Sequence, residues 1–163
     1  MRSVTRCLRH LLGSLRAGAL MFLKKDPSYY ELIKDYEEYH ETTHVNLNTM
    51  IRLALIENWI KPYSTILEVG CGEGFNMLYL KERKHVDVIG IDVLKKAVEK
   101  VLQQGLKAYV MDVDEQGLLT LGQRFNYVLF IEVLEHLKYP QKSLLEACKI
   151  ANEGVIVTLP NSG

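Results

Sequence analysis

Four acidic side chains and three glycines carry the chemistry that this sequence can do. Glu68, Gly70, Gly72 and Gly74 fall in one run, Thr65-Ile-Leu-Glu-Val-Gly-Cys-Gly-Glu-Gly74, and Asp92, Asp112 and Glu132 follow it. Alternate glycines let the backbone take positive φ and let a ligand approach where a Cβ would collide. Asp92 lies 18 residues beyond Gly74, close to the spacing at which an acidic side chain accepts hydrogen bonds from a ribose diol. A nucleoside-containing small molecule is the natural occupant of such a site.

The loop narrows the choice of nucleoside. A dinucleotide fingerprint, G-x-G-x-x-G counted from Gly70 and Gly72, requires glycine where the chain has Phe75. No lysine followed by Ser/Thr completes a phosphate loop either. What remains is acid-x-Gly-x-Gly-x-Gly, with the acid at Glu68.

A second constellation is Glu132, Glu135 and His136. On the first turn of a helix, spacings of i, i+3 and i+4 place all three on one face, where carboxylates and an imidazole can hold Mg²⁺, Mn²⁺ or Fe²⁺. The competing reading, which is favoured, assigns no metal: Glu132 touches substrate or cofactor while Glu135 and His136 orient the helix. An imidazole, with an ordinary pKa of about 6.5, also suits a general base, so His136 and Glu132 are the candidate catalytic pair.

The elements that must position these groups alternate along the chain. Two helices come first. One follows Pro27 with Tyr29, Leu32, Ile33, Tyr36 and Tyr39 at helical spacing, and the other runs from about Val45 to Ile60 with Leu47, Ile51, Leu55 and Trp59 on one stripe. Strands are expected at Thr65 to Val69, Val86 to Ile91, Lys107 to Met111, Tyr127 to Ile131 and Val155 to Leu159. Between them lie helices carrying Met77, Leu78 and Leu80, then Leu94, Ala97, Val98, Val101 and Leu102 up to Gly105, then Leu144, Leu145, Cys148 and Ile150 from Pro140 to a stop at Gly154. Gly117 to Gly122 reads as a loop or short turn. The alternation implies a Rossmann-like α/β domain, a parallel sheet with helices on both faces. In such a sheet ligands lie beyond the carboxyl ends of the strands, where Glu68, Asp92, Asp112 and Glu132 converge.

Composition sets the outer bounds. The chain has 163 residues, 48% hydrophobic and 25% charged, with no net charge. That argues for one globular domain; nothing in it argues for nucleic acid, so none is expected as a partner, and nothing argues against a small ligand. Cys7, Cys71 and Cys148 are far apart and lack C-x-x-C spacing, so neither a disulfide framework nor a structural zinc site is indicated. The neutral total conceals an asymmetry: residues 1–25 hold six of the 20 basic side chains and no acid. Arg2, Arg6, Arg9 and Arg16 share one helical face and Val4, Leu8, Leu11, Leu12 and Leu15 the other. This basic amphipathic extension precedes a domain at residues 26–163. It reads as an ordinary extension translated upstream of Met21, as a mitochondrial targeting peptide over residues 1–20, or as a helix that docks on a membrane surface or partner. The default location is cytoplasmic. No apolar stretch reaches the roughly 20 residues needed to span a bilayer.

Taken in order, Glu68 with the glycine loop, Asp92 and Asp112 resemble the cofactor site of class I S-adenosylmethionine-dependent methyltransferases, over roughly Ile51 to Pro160. The run Phe130-Ile-Glu-Val-Leu-Glu-His-Leu137 with Tyr139-Pro140-Gln141 resembles the type 11/12 small-molecule group, which includes ubiquinone-pathway O-methyltransferases. Ile156-Val-Thr-Leu-Pro-Asn161 is more similar to MetW-like proteins. The resemblance implies S-adenosylmethionine as cofactor, with Gly70, Cys71 and Gly72 under its methionine portion and Glu68 among the cofactor-binding residues. It further implies Asp92 on the ribose hydroxyls, Val93 against the adenine, Asp112 and Val113 near the exocyclic amine, and Ile131 in contact from the fourth strand.

The implied reaction is in-line displacement of a sulfonium methyl by an O, N or C nucleophile of a small-molecule acceptor, with no covalent enzyme intermediate. The family's sheet usually continues past the fifth strand through a helix and a hairpin. Here five strands are expected without that hairpin, which leaves an edge where a second copy or a partner could pair. Two readings stay open at this point: an active methyltransferase, and a short cofactor-binding or partner-binding module without methyl transfer.

Overall fold

Ile66, Leu67, Glu68 and Val69 are all buried, as a strand covered on both faces requires. In the computed structural model, which describes residues 47–159, they form β1 (Thr65–Val69) at the middle of the sheet. Around it, in chain order, come α1 (Leu47–Trp59) ahead of it, then α2 (Phe75–Lys84), β2 (Asp87–Asp92), α3 (Lys95–Gln103), β3 (Lys107–Val110), the short α4 (Val113–Gln116) and a 3-10 turn Leu118–Leu121. The chain continues through β4 (Phe125–Ile131), a 3-10 turn Leu134–His136, α5 (Pro140–Ile150) and β5 (Ala151–Thr158). The five strands are all parallel in the order β3-β2-β1-β4-β5. The expected Rossmann-like sheet is therefore present.

Alternation along β1 sends Ile66 to one face and Leu67 and Val69 to the other. The first face packs against Met50, Leu53 and Ile56 of α1, Met77 and Leu80 of α2, and Val98 and Val101 of α3. The second packs against Leu118, Ala147 and Ile150, from the 3-10 turn and α5. The chain runs outward from β1 to β2 and β3, then crosses to the other side of β1 to lay down β4 and β5. The order thus reverses between β1 and β4, and the carboxyl ends of these two strands border the crevice where open sheets of this kind bind ligands.

Several expectations need correction, among them Leu94 and Leu102, which are exposed while Ala97, Val98 and Val101 form the buried stripe of α3. In α1 the buried stripe is Met50, Leu53, Ala54 and Ile56, whereas Ile51 and Leu55 are half-buried and Trp59 is 39% exposed. The helix is apolar around most of its circumference, so spacing alone does not choose the face that meets α2. Gly154 does not stop a helix. Ile150 ends α5, Ala151 opens β5, and Gly154 pairs with Tyr127 across a register shift between Phe125 and Tyr127, where β5 holds one more residue than β4, as in a bulge. Leu145 is turned outward and Ala147 takes the core position. A further correction concerns Glu132 to His136 and belongs to the site.

The N-terminal extension and the tyrosine-rich helix after Pro27 lie outside the described residues, as do Cys7 and residues 160–163. No helix among the described residues is long and apolar enough to cross a membrane.

Candidate functional site

The glycine loop leaves β1 by extending its ladder with β2. Gly70 and Cys71 N–H both donate to Ile91 O, at 2.8 and 3.1 Å, and Gly72 N–H then donates to Asp92 Oδ2 at 2.8 Å. Asp92 Oδ1 accepts from Leu94 N–H at 2.8 Å. One carboxylate therefore ties the loop to the turn after β2, and each oxygen keeps a lone pair for a further donor. Gly70 has φ +69°, and a Cβ there would stand 2.4 Å from Val133 Cγ2, so the loop is pressed against the exit of β4. Gly72 has φ +52° and nothing within 4 Å of where its Cβ would be. The loop is open at Gly72, while its N–H is held by Asp92.

Beneath the loop Glu68 is fully buried. Asn76 Nδ2, from the first turn of α2, donates to its Oε1 at 2.6 Å. Its Oε2 has no hydrogen-bond partner among the described residues. Burial pushes the Glu68 carboxyl up to about 7, against the opposing pull of the Asn76 bond and the Arg52 charge. Burial, with the Glu68 and Asp92 charges added, likewise pushes the Cys71 thiol up to about 12. Cys71 is a free thiol and stays neutral at physiological pH.

The remaining acids are engaged locally. Asp112 Oδ1 caps α4 by accepting from Asp114 N–H at 2.9 Å and Glu115 N–H at 3.4 Å. Val113 is buried with Met111 and Leu118 in the core, Ile131 is buried on the opposite face, and Val93 is 60% exposed beside the crevice. Glu132 takes φ +52°, donates its N–H to Thr158 O at 3.1 Å and pairs its carboxylate with the Arg52 guanidinium of α1.

The helical turn expected at Glu132 is not formed. The left-handed backbone at Glu132 breaks the path, Leu134–His136 makes a 3-10 turn, and α5 starts only at Pro140. The i, i+3, i+4 face therefore does not exist. Glu135 Oε1 is 4.0 Å from His136 Nε2, the imidazole is largely exposed, and Glu132 is turned to Arg52. No group of three metal-ligating side chains is assembled among the described residues.

Several site residues are not picked out by sequence reasoning. Gly90 is one: a Cβ there would meet Cys71 Sγ at 2.6 Å and Met77 Sδ at 2.8 Å, so the loop and α2 can settle onto β2 only over glycine. A lone glycine inside a strand pattern is a known sign of close backbone approach. Arg52, Asn76 and Asp114 carry no local signal, because each acts across the fold.

A sequence profile of the family described as methionine biosynthesis protein MetW matches residues 51–163. The chain belongs to the MetW family. It is thereby a member of the class I S-adenosylmethionine-dependent methyltransferase superfamily, and the MetW-like character of the β5 end accords with the family matched. A mitochondrial ubiquinone biosynthesis O-methyltransferase of Candida albicans is 33% identical over 100 residues, covering 55% of this chain and 30% of that enzyme. An mRNA cap guanine-N(7) methyltransferase of Eremothecium gossypii is 28% identical over 88 residues, covering 54% of this chain and 20% of that enzyme. The MetW-family chain spans between 20% and 30% of the length of the curated relatives it matches. Coclaurine N-methyltransferase, solved with N-methylheliamine and SAH, shares the fold with a TM-score of 0.57 at 18% identity, over 71% of this chain and 36% of that one. A mycolic acid cyclopropane synthase solved with SAH shares it with a TM-score of 0.56 at 18% identity, over 73% of this chain and 45% of that one.

Proposed function

We propose that this chain binds S-adenosylmethionine across Gly70–Gly72 and Asp92 and transfers its methyl group to a small-molecule acceptor. The observation that carries this reading is the loop itself: open at Gly72, fastened to Asp92 through the Gly72 N–H, and set at the carboxyl end of β1 where the strand order reverses. S-adenosylmethionine, when bound, supplies a sulfonium whose methyl group is already activated for displacement.

The chain's own residues then have defined tasks. Asp92 accepts the ribose hydroxyls with the lone pairs left over from Gly72 and Leu94. Val93 covers the adenine from its exposed position, Asp112 and Val113 bound the far end of the nucleoside, and Ile131 closes the side next to β4. Gly70, Cys71 and Gly72 lie under the amino-acid portion, with Glu68 below. Cys71, held as a neutral thiol, does not compete with the acceptor for the methyl group, since the thiolate is the nucleophile. Of the candidate pair, His136 takes up the acceptor's proton, while Glu132, paired with Arg52, touches acceptor or cofactor. Positioning supplies much of the acceleration, up to roughly 7–11 kcal/mol where alignment is ideal.

This assignment goes with a cytoplasmic location and with two parts, a basic extension at residues 1–25 and the methyltransferase domain at residues 26–163. Self-association or a partner is placed at the sheet edge or on the N-terminal extension. A second reading, a binding module without methyl transfer, is favoured by one observation: the His136 imidazole is largely exposed and, among the described residues, meets no acid closer than Glu135 at 4.0 Å. Incubating the protein with methyl-labelled cofactor and a cell extract separates the two. Label passing to a small molecule, undiminished by EDTA, is the expected result; label remaining wholly on the cofactor while the protein binds it would leave the module.

A further inference from the structure

Asp114 stands between the two halves of the site. Its Oδ2 accepts from Lys138 N–H at 2.8 Å and its Oδ1 from Tyr139 N–H at 2.9 Å. Its own N–H donates to Asp112 Oδ1 at 2.9 Å, and its carbonyl oxygen accepts from Lys142 Nζ at 3.4 Å. One half-buried residue thus links the strand-end acid beside the nucleoside position to the end of the segment that carries Glu132, Glu135 and His136.

That segment, residues 132–139, depends on few other ties. At its start the Glu132 N–H is held by Thr158 O and the Glu132 carboxylate by the Arg52 guanidinium of α1. In its middle Leu134 is buried, while Val133 and Leu137 are partly so. At its far end the two backbone N–H groups held by Asp114 follow Leu137, whose own N–H closes the 3-10 turn onto Leu134 O, and lead directly into Pro140 at the start of α5. A carboxylate accepting two backbone N–H groups forms charge-assisted bonds, roughly twice as strong as neutral ones. Asn could keep one of the two acceptors, and Ala neither.

We propose that Asp114 is a positioning residue that couples occupancy of the nucleoside end of the site to the order of residues 132–139, and so to the placement of Glu132 and His136 at the acceptor. The proposal rests on cofactor binding at Gly70–Gly72 and Asp92. Asp114 is assigned no contact with cofactor or acceptor, since both its carboxylate oxygens are taken up by backbone N–H groups. A ligand that fixes Asp112 and the turn after β3 fixes Asp114, which in turn holds Lys138 and Tyr139; without Asp114 the two ends of the site order independently.

Backbone deuterium exchange, read by mass spectrometry on peptides covering residues 132–139, tests this in the full chain with and without S-adenosylhomocysteine. In Asp114→Ala, exchange in this segment should rise about tenfold, the effect of losing one net hydrogen bond's worth of protection. The added protection that S-adenosylhomocysteine confers on the segment should vanish, while its affinity changes less than threefold. Asp114→Asn should restore part of both effects. Unchanged exchange in the segment would overturn the proposal, as would a rise of equal size throughout the chain in both variants, or ligand-induced protection of residues 132–139 that survives in Asp114→Ala. If the wild type binds no S-adenosylhomocysteine, the cofactor reading fails by itself; the comparison without ligand still decides whether Asp114 holds the segment.

Discussion

Glu68→Gln should make the stability of this fold less dependent on pH, by an amount that follows from burial. The Glu68 carboxyl is raised from an ordinary 4.5 to about 7 by burial, after allowance for Asn76 and Arg52. Below pH 4.5 the side chain is protonated in folded and unfolded chains alike, and its contribution is fully present. Between 4.5 and about 7 the unfolded chain has lost the proton that the folded chain keeps, so stability falls as pH rises through this window. At about 1.4 kcal/mol per pH unit, the loss is roughly 3 kcal/mol by the upper end of the window, and it levels off above it. Gln has the same shape, keeps an oxygen for the Asn76 donor, and does not titrate. Urea unfolding at a series of pH values from 4 to about 8, with both proteins measured at each, removes the contribution of every other group by difference. With an m-value of about 2 kcal/mol/M, the midpoint of the variant should gain roughly 1–2 M on the wild type across the window. Parallel profiles for the two proteins would refute the idea that Glu68 is held in a dry environment. A variant that loses ground at high pH would show that the ionised form is stabilised there instead.

Two further outcomes follow from the same loop. Gly90→Ala places a Cβ within 3 Å of Cys71 and Met77, an overpacking that should cost about 1–3 kcal/mol and appear as a lower urea midpoint with an unchanged m-value; wild-type stability would show that the loop has room to lift off β2. Cys71, buried with its thiol pushed up to about 12, should resist alkylation at pH 8 in the folded protein and react after unfolding, as read from the modified peptide by mass spectrometry. Prompt labelling of the folded chain would contradict the burial.

Much of the site is legible in the amino-acid sequence because its residues lie at strand ends, and strand ends are marked there. Ile66-Leu67-Glu68-Val69 reads as a strand buried on both faces, and Gly70, Gly72 and Gly74 can only be a turn. Asp92 and Asp112 each close an apolar run that is followed by a helical pattern. What sequence does not reveal is anything decided by contact across the sheet. In α1 two apolar stripes lie side by side, and only packing against α2 selects Met50 and Leu53 over Ile51 and Leu55. Gly154 carries the same signal whether it stops a helix or lies beside a bulge in β5. At Glu132 the E-x-x-E-H spacing is that of a helical face, yet a left-handed backbone at Glu132 and a 3-10 turn intervene before Pro140. The partners Arg52, Asn76 and Asp114 are ordinary polar residues of helices and turns until the fold brings Glu132, Glu68 and the Lys138–Tyr139 backbone to them.

The central claim is that the open loop at Gly72 and the Asp92 carboxylate together hold a methyl donor. Isothermal titration calorimetry of the purified chain with S-adenosylmethionine tests it most directly. Wild type is expected to bind with low-micromolar affinity, and Asp92→Ala, which loses the ribose acceptor and the tie to the Gly72 N–H, should bind at least about tenfold more weakly, the loss of one hydrogen bond to a charged group. A titration of folded wild-type protein that shows no binding, or an Asp92→Ala variant that binds as tightly as wild type, would contradict the account.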